Sequence, residues 1–309
     1  MSTYLVTGGA GFIGSNVVHA LVERGETVRV LDDLSTGSEA NLVTVRDQVA
    51  LTVGDIRDRT VLDVVLKGCD YVLHLAAIPA VVRSVEDPER THDVNVNGTL
   101  ALFERARNQG VRRVVFSGSS SVYGNTEVLP KVETMTPAPR SPYALQKLSG
   151  ESYARMYTVL YGLDVVTLRY FNVFGPRQST GGDYPAVIPS LLSRMRRGEA
   201  PVIYGDGRQT RDFCFVENVV DATLRACSSI EGPGRIYNVG CGQQVALLEV
   251  VAQLNHILGT SLDPQLKPVR PGDVLHSVAD IQAAGRDLGY IPSVHFSEGL
   301  RRTVEWHRS

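Results

Sequence analysis

Thr7-Gly-Gly-Ala-Gly-Phe-Ile-Gly14 decides how the rest of this chain is read. It follows Tyr4-Leu-Val-Thr7, a β-branched apolar run, and leads into Ile13–Arg24, whose apolar spacing is helical. Gly8, Gly11 and Gly14 stand three residues apart, the spacing of a tight strand-to-helix turn. Missing Cβ atoms there let backbone N–H groups approach a pyrophosphate at the positive end of a helix. Gly-rich turns also occur for purely structural reasons, so the context has to decide. Asp32 closes the next strand, eighteen residues after Gly14, where a carboxylate accepts both ribose hydroxyls of NAD and repels the 2′-phosphate of NADP. Asp33 follows, and positions 33–38 hold no arginine. The expected cofactor is NAD, with Phe12 and Ile13 in the same turn.

Outward from this unit the pattern repeats. Thr27–Leu31, Val49–Val53, Tyr71–Leu75, Arg113–Ser117 and Asp164–Leu168 read as strands, apolar enough to be buried on both faces. Thr60–Leu66, Thr91–Asn108 and Tyr143–Tyr161 read as helices between them. Alternation of this kind implies right-handed crossovers and an α/β fold, a Rossmann doubly wound parallel sheet. After about residue 170 the rhythm breaks at Pro185, Pro189, Pro201, Pro264, Pro268 and Pro271, which predicts a smaller C-terminal α/β lobe. We expect a cofactor domain over 1–170 and a substrate lobe over 171–309, with a soft boundary, since such chains often return to the sheet. Asp55 and Ile56 after the third strand could meet adenine, although Asp55 reads equally well as a helix N-cap. Leu75, Ala76 and Ala77 end the fourth strand with side chains small enough for a dinucleotide to cross. His74 beside them reads as a core or strand-end residue.

The chain has 309 residues, 43% hydrophobic and 21% charged, with a formal charge of -2. That balance gives no general attraction to nucleic acid or anionic membrane. Its apolar runs fall short of the ~20 residues that span a bilayer, and the start carries no basic leader. The four cysteines, Cys69, Cys214, Cys227 and Cys241, are scattered and the histidines unclustered, so free thiols in a reducing cytoplasm are expected, and no metal site.

Acid–base chemistry is written further along. Ser141-Pro142 suits a helix start, and Tyr143 and Lys147 then lie one turn apart on one face. A phenol of pKa near 10 needs about 4 kcal/mol to titrate ~3 units lower. One cation at ~4 Å supplies about that much at an effective dielectric near 20. Lys147 and the positive nicotinamide ring are two such cations. Ser117-Gly-Ser-Ser-Ser-Val-Tyr-Gly124 ends the fifth strand, and strand C-termini are where such sheets present ligands. A serine there can pass a proton between a sugar hydroxyl and the tyrosine.

With these motifs the sequence resembles the extended short-chain dehydrogenase/reductase family, and within it the nucleotide-sugar 4-epimerases. The resemblance continues through Asn95-Val-Asn-Gly-Thr99, Arg169-Tyr-Phe-Asn-Val-Phe-Gly-Pro176, Gly205-Asp-Gly207, Arg211-Asp-Phe213, Asn238-Val-Gly240 and Arg270-Pro-Gly-Asp273. It implies NAD kept as a prosthetic group, Tyr143 as base, Lys147 on the nicotinamide ribose and Ser119 as proton shuttle. It also implies that Asn95, Ser117 and Tyr170 support the lysine and the nicotinamide. Asn172, Arg211, Arg270 and Asp273 match residues that hold the nucleotide diphosphate and ribose, and Ala186 and Val187 match those near uracil. A homodimer through the Thr91–Asn108 and Tyr143–Tyr161 helices is implied as well.

Departures from sister enzymes narrow the reaction. Related 4,6-dehydratases carry Asp-Glu where this chain has Ser120-Ser121, and UDP-glucuronate decarboxylases carry Glu at 121. UDP-glucuronate 4-epimerases tend to carry Thr at 172 and Arg at 179; here stand Asn172 and Ser179. Ser121 would therefore face the sugar. Ser277 replaces the tyrosine of enzymes restricted to UDP-glucose, leaving room for a 2-acetamido group. Leu129–Glu133 and His276–Asp280 likewise resemble the N-acetylhexosamine-accepting group. The expectation is a UDP-hexose 4-epimerase accepting UDP-N-acetylglucosamine/galactosamine and UDP-glucose/galactose. UDP-glucuronate epimerisation is the alternative within the class, and a non-catalytic NAD-sensing protein the alternative outside it.

Overall fold

The computed structural model describes residues 1–79, 81–181, 186–269 and 274–308. Arg270 and Asp273 lie outside the described residues. Six strands come in chain order: β1 (Thr3–Thr7), β2 (Thr27–Asp32), β3 (Val49–Val53), β4 (Tyr71–His74), β5 (Arg113–Ser119) and β6 (Asp164–Tyr170). A seventh, Ile236–Val239, joins from far beyond residue 170 and pairs with β6. The order across the sheet is Ile236–Val239, β6, β5, β4, β1, β2, β3, parallel throughout. Chain direction across the sheet reverses between β1 and β4, and the crevice at that switch point is where such sheets bind ligands.

Both faces are covered. Val6, Val30, Leu73, Val115 and Val166 pack against α1 (Phe12–Glu23) and helix Val216–Ser228 on one side. Leu5, Leu31, Val72, Val114 and Phe116 pack on the other against α2 (Arg59–Leu66), α5 (Thr99–Asn108) and α6 (Pro142–Tyr161). Neighbouring residues such as Leu5 and Val6 serve opposite cores, the period-2 rule of a strand buried on both faces. A third core, built on Phe174, Phe213, Phe215 and Phe296, fills the C-terminal lobe.

The helix read over Thr91–Asn108 is three pieces. The first is α4 (Pro88–His92), which follows a separate short α3 (Val81–Glu86) and starts on an Asp87 cap with Pro88 in its first turn. A π-helical stretch, Asp93–Gly98, then joins α4 to α5. The wider turn coincides with a close approach: a Cβ on Gly98 would stand 2.7 Å from the Ile56 side chain. Single π turns of this kind are frequent at functional sites, and this one carries the buried Asn95.

Candidate active site

One cleft of about 900 Å³ runs along the C-terminal edge of the sheet. The phosphate turn lines one end: Gly8 has φ +70°, and a Cβ on it would lie 2.7 Å from the Ala76 nitrogen. A Cβ on Gly14 would run into the Gly8 carbonyl. Helix α1 follows Gly11 as its N-cap, and no side chain caps its first turn, which borders the cleft. This bare, positive helix end suits a pyrophosphate. Asp32, 6% exposed, accepts N–H bonds from Ala10 and Leu34 at 2.9 Å each, one on each carboxylate oxygen. Each oxygen keeps a lone pair for a ribose hydroxyl, although burial raises its pKa. The residues present therefore fit NAD. Phe12, Ile13, Ile56, Leu75, Ala76 and Ala77 line the same cleft.

Asp55 also lines it, but caps no helix. Asp58 caps α2, accepting from Thr60 and Val61, while Asp55 is gripped by the Arg57 guanidinium at 2.6 Å. That pair holds the Asp55 carboxyl below its ordinary pKa. His74 is a core residue. Thr99 spends its proton on the Asn95 carbonyl, so His74 Nε2–H donates to Thr99 at 3.0 Å and Nδ1 accepts from Thr7 at 2.7 Å.

Ser141 caps α6, accepting from Ala144 at 3.1 Å, and this sets the phase of the helix. Tyr143 and Lys147 then stand on its cleft side. The Lys147 ammonium donates to the Ser117 carbonyl at 2.9 Å and reaches the Ser117 hydroxyl at 3.4 Å. It lies 5.9 Å from the centre of the Tyr143 ring. Burial pushes the Tyr143 phenol pKa up, and the Ser119 hydrogen bond pulls it down. Ser119 caps the 3-10 turn Ser120–Tyr123 and accepts from the Ser121 amide and hydroxyl at 3.2 and 2.9 Å.

Asn95 bonds the Ile78 backbone and the Gln146 side-chain oxygen, on α6 next to Lys147. Tyr170 gives its hydroxyl to Thr223 at 2.8 Å and offers the cleft its ring. Asn172 and Ala186 line the cleft, with Asn172 donating to the Asp212 carbonyl, whereas Val187 packs against the lobe core. Arg211 lines a second cavity of about 290 Å³ with Tyr204, Gln209 and Val274. Ser277 is buried, its N–H on the Thr210 carbonyl. Next to it the Lys131–Ala279 bridge joins Leu129–Glu133 to His276–Asp280, two stretches far apart in sequence.

Three features escaped the sequence reading. Arg83 of α3 lines the cleft, with nothing in its spacing to single it out. Asp212 receives the N–H groups of Cys241, Gly242 and Ala279 at 2.8 to 3.0 Å, fixing the loops around the lobe. Glu151 and Arg169 form a buried ion pair at 2.7 Å. Glu151 had a visible signal, being four residues beyond Lys147 on the same face; its partner on β6 had none.

A doubly wound sheet with a glycine phosphate turn, a ribose carboxylate and a Ser-Tyr-Lys group in one cleft defines a dinucleotide-dependent enzyme of the short-chain dehydrogenase/reductase type. The chain belongs to the NAD dependent epimerase/dehydratase family, whose model matches residues 4–240. It is 40% identical over 309 residues to the UDP-glucose 4-epimerase of Mycolicibacterium smegmatis, covering 99% of this chain and 98% of that protein. The UDP-N-acetylglucosamine 4-epimerase from Methanobrevibacter ruminantium M1, solved with UDP-N-acetylmuramic acid, superposes with TM-score 0.95 at 39% identity, over 99% of this chain and 98% of that one. The UDP-glucose 4-epimerase of Thermus thermophilus, solved with NAD, gives 0.91 at 38% identity and covers 99% of both chains.

Proposed function

We propose that this protein is a UDP-hexose 4-epimerase that accepts UDP-glucose/galactose and the UDP-N-acetylglucosamine/galactosamine pair. The observation that carries the reading is the placing of Ser119, Tyr143 and Lys147 in the cleft that also holds the phosphate turn. Tyr143 takes the C4 hydroxyl proton, directly or through Ser119, and returns it after the hexose has turned. Lys147, fixed by Ser117, steadies the phenolate and donates to the nicotinamide ribose. NAD, when bound oxidised on Gly8–Gly14 and Asp32, supplies reversible hydride exchange at C4 and a second positive charge near Tyr143. Residues 1–170 serve mainly the cofactor and 171–309 the nucleotide sugar. Asn172, Arg211, Arg270 and Asp273 hold the diphosphate and ribose, and Ala186 and Val187 border the uracil.

Ser179 supports neutral hexoses, since it lines the cleft and spends its hydroxyl on the Gly181 carbonyl. We also infer a homodimer. What supports it is the exposed apolar stripe Leu145, Met156, Val159 and Leu160 on α6. No helix among the described residues is long and apolar enough to cross a membrane. Cytoplasmic residence suits the four unbridged cysteines. The deciding experiment incubates purified protein with single UDP-sugars and no added cofactor, resolving C4 epimers by NMR. Epimers from the neutral sugars are expected. Inert neutral sugars with rapid UDP-glucuronate turnover would overturn the assignment and turn attention to Arg83.

A further inference from the structure

Lys147 must carry its charge where water is scarce. It is 5% exposed, and burial pulls its pKa down to about 8. From β5 it meets the Ser117 carbonyl and hydroxyl and, at 5.2 Å, the Phe116 ring. From β4 it faces His74, which is neutral, its pKa lowered to about 3. From β6 come Tyr170 and Arg169, and Tyr123 lies under Arg169 at 4.7 Å. On α6 itself Tyr143 stands one turn before it and Glu151 one turn after. Glu151 is the anion of this set, and its charge raises the lysine pKa against the effect of burial.

A buried carboxylate alone would take up a proton instead of keeping its charge. Burial does raise the Glu151 pKa, and Arg169 opposes it with a fork: Nε reaches the two carboxylate oxygens at 3.0 and 3.2 Å, and Nη2 reaches one at 2.7 Å. Both residues are 2% exposed. The space is also prepared, since a Cβ on Gly118 would stand 2.9 Å from a Glu151 oxygen. Tyr123, stacked on the guanidinium, is tied in turn to Asn238 at 2.6 Å. We propose that Glu151 is a positioning residue for the reaction: its carboxylate, locked by Arg169, holds a negative charge one helical turn from the Lys147 ammonium, itself one turn from Tyr143. The inference rests on the reading of Tyr143 and Lys147 as the acid–base pair.

The test follows kcat of the cofactor-loaded enzyme from about pH 6 to pH 10, where loss of the Lys147 proton ends activity on the alkaline side. Glu151→Gln removes the anion, so the alkaline limb should move down by about one pH unit. KM for the UDP-sugar and bound NAD should stay unchanged, because the pair touches neither. Glu151→Asp, which keeps the charge, should restore most of the limb. A second readout needs no turnover: ultraviolet titration of tyrosinate, with Tyr143→Phe as blank, should show Tyr143 ionising at higher pH in Glu151→Gln. The double variant Glu151→Met/Arg169→Leu separates charge from packing, since apolar replacement of a buried pair is often tolerated. It should fold and still show the lowered limb, and it decides the matter if the single variant does not fold. A folded variant lacking Glu151 whose limb and tyrosinate titration match the parent would overturn the proposal. If Tyr143→Phe is inactive in that case, only the role of Glu151 fails; if Tyr143→Phe turns over normally, the acid–base reading fails with it.

Discussion

A phenol that burial makes harder to ionise has to serve as base, helped by the Ser119 hydrogen bond and by the Lys147 charge one helical turn away. Tyr143→Phe should lower kcat by at least ~10², the usual loss for a general acid–base group. Calorimetry should find UDP-sugar binding retained, and near-normal turnover would remove Tyr143 from the mechanism. Ser277 carries a different prediction. It is buried beside the Arg211 strand, so a tyrosine there overpacks the site by ~1–3 kcal/mol. UDP-N-acetylglucosamine turnover should fall roughly tenfold to a hundredfold, and UDP-glucose turnover much less. Equal losses on both sugars would mean that Ser277 does not gate the 2-position. The catalytic trio was legible because its residues sit at fixed offsets within one strand end and one helix. Arg169 was not, because its partner lies eighteen residues back across a helix–sheet interface.

At the scale of elements, the six strands up to Tyr170 and the helices α1, α2 and α6 were readable within a residue or two, since each carries its own period, whereas strand Ile236–Val239 and the helices beyond residue 186 were not read. The π turn at Asp93–Gly98 was not readable either; it lies where Gly98 packs against Ile56, a tertiary contact. The Asp87-Pro88 start of α4 was written in the sequence as an N-cap and first-turn proline, and went unread. His74 ties three elements together, linking β1 through Thr7 and the α5 start through Thr99. Its ring is neutral in the fold, with pKa lowered to about 3 by burial, against an ordinary 6.5. Between those values the unfolded chain binds a proton that the folded chain does not, so stability falls as pH drops through that window. From pH 7 to pH 5 the loss should be about 2 kcal/mol from this residue alone. Urea midpoints at the two pH values should record it, and His74→Gln should reduce the difference by that amount. An unchanged difference would mean that His74 is protonated in the fold.

On the scale of the whole molecule, α6 does two jobs. One face carries Tyr143 and Lys147 into the cleft and Glu151 into the interior behind it; the other leaves Leu145, Met156, Val159 and Leu160 in solvent. Val159 is 72% exposed and Leu160 64%, with exposed Arg155 at the border of the stripe. An apolar stripe at helical spacing is a costly thing to leave wet, and a second copy of the same helix would cover it under two-fold symmetry. A stable interface needs about 800 Å² from each partner, more than one helix supplies. Sedimentation of the parent should give a dimer. Val159→Glu places two like charges near the symmetry axis without touching the cleft, and it should shift the protein toward monomer. Because the same helix holds the acid–base pair, the monomer should also lose turnover, while its far-ultraviolet dichroism stays native. A parent that sediments as a monomer, with Val159→Glu fully active, would detach this face from both assembly and catalysis.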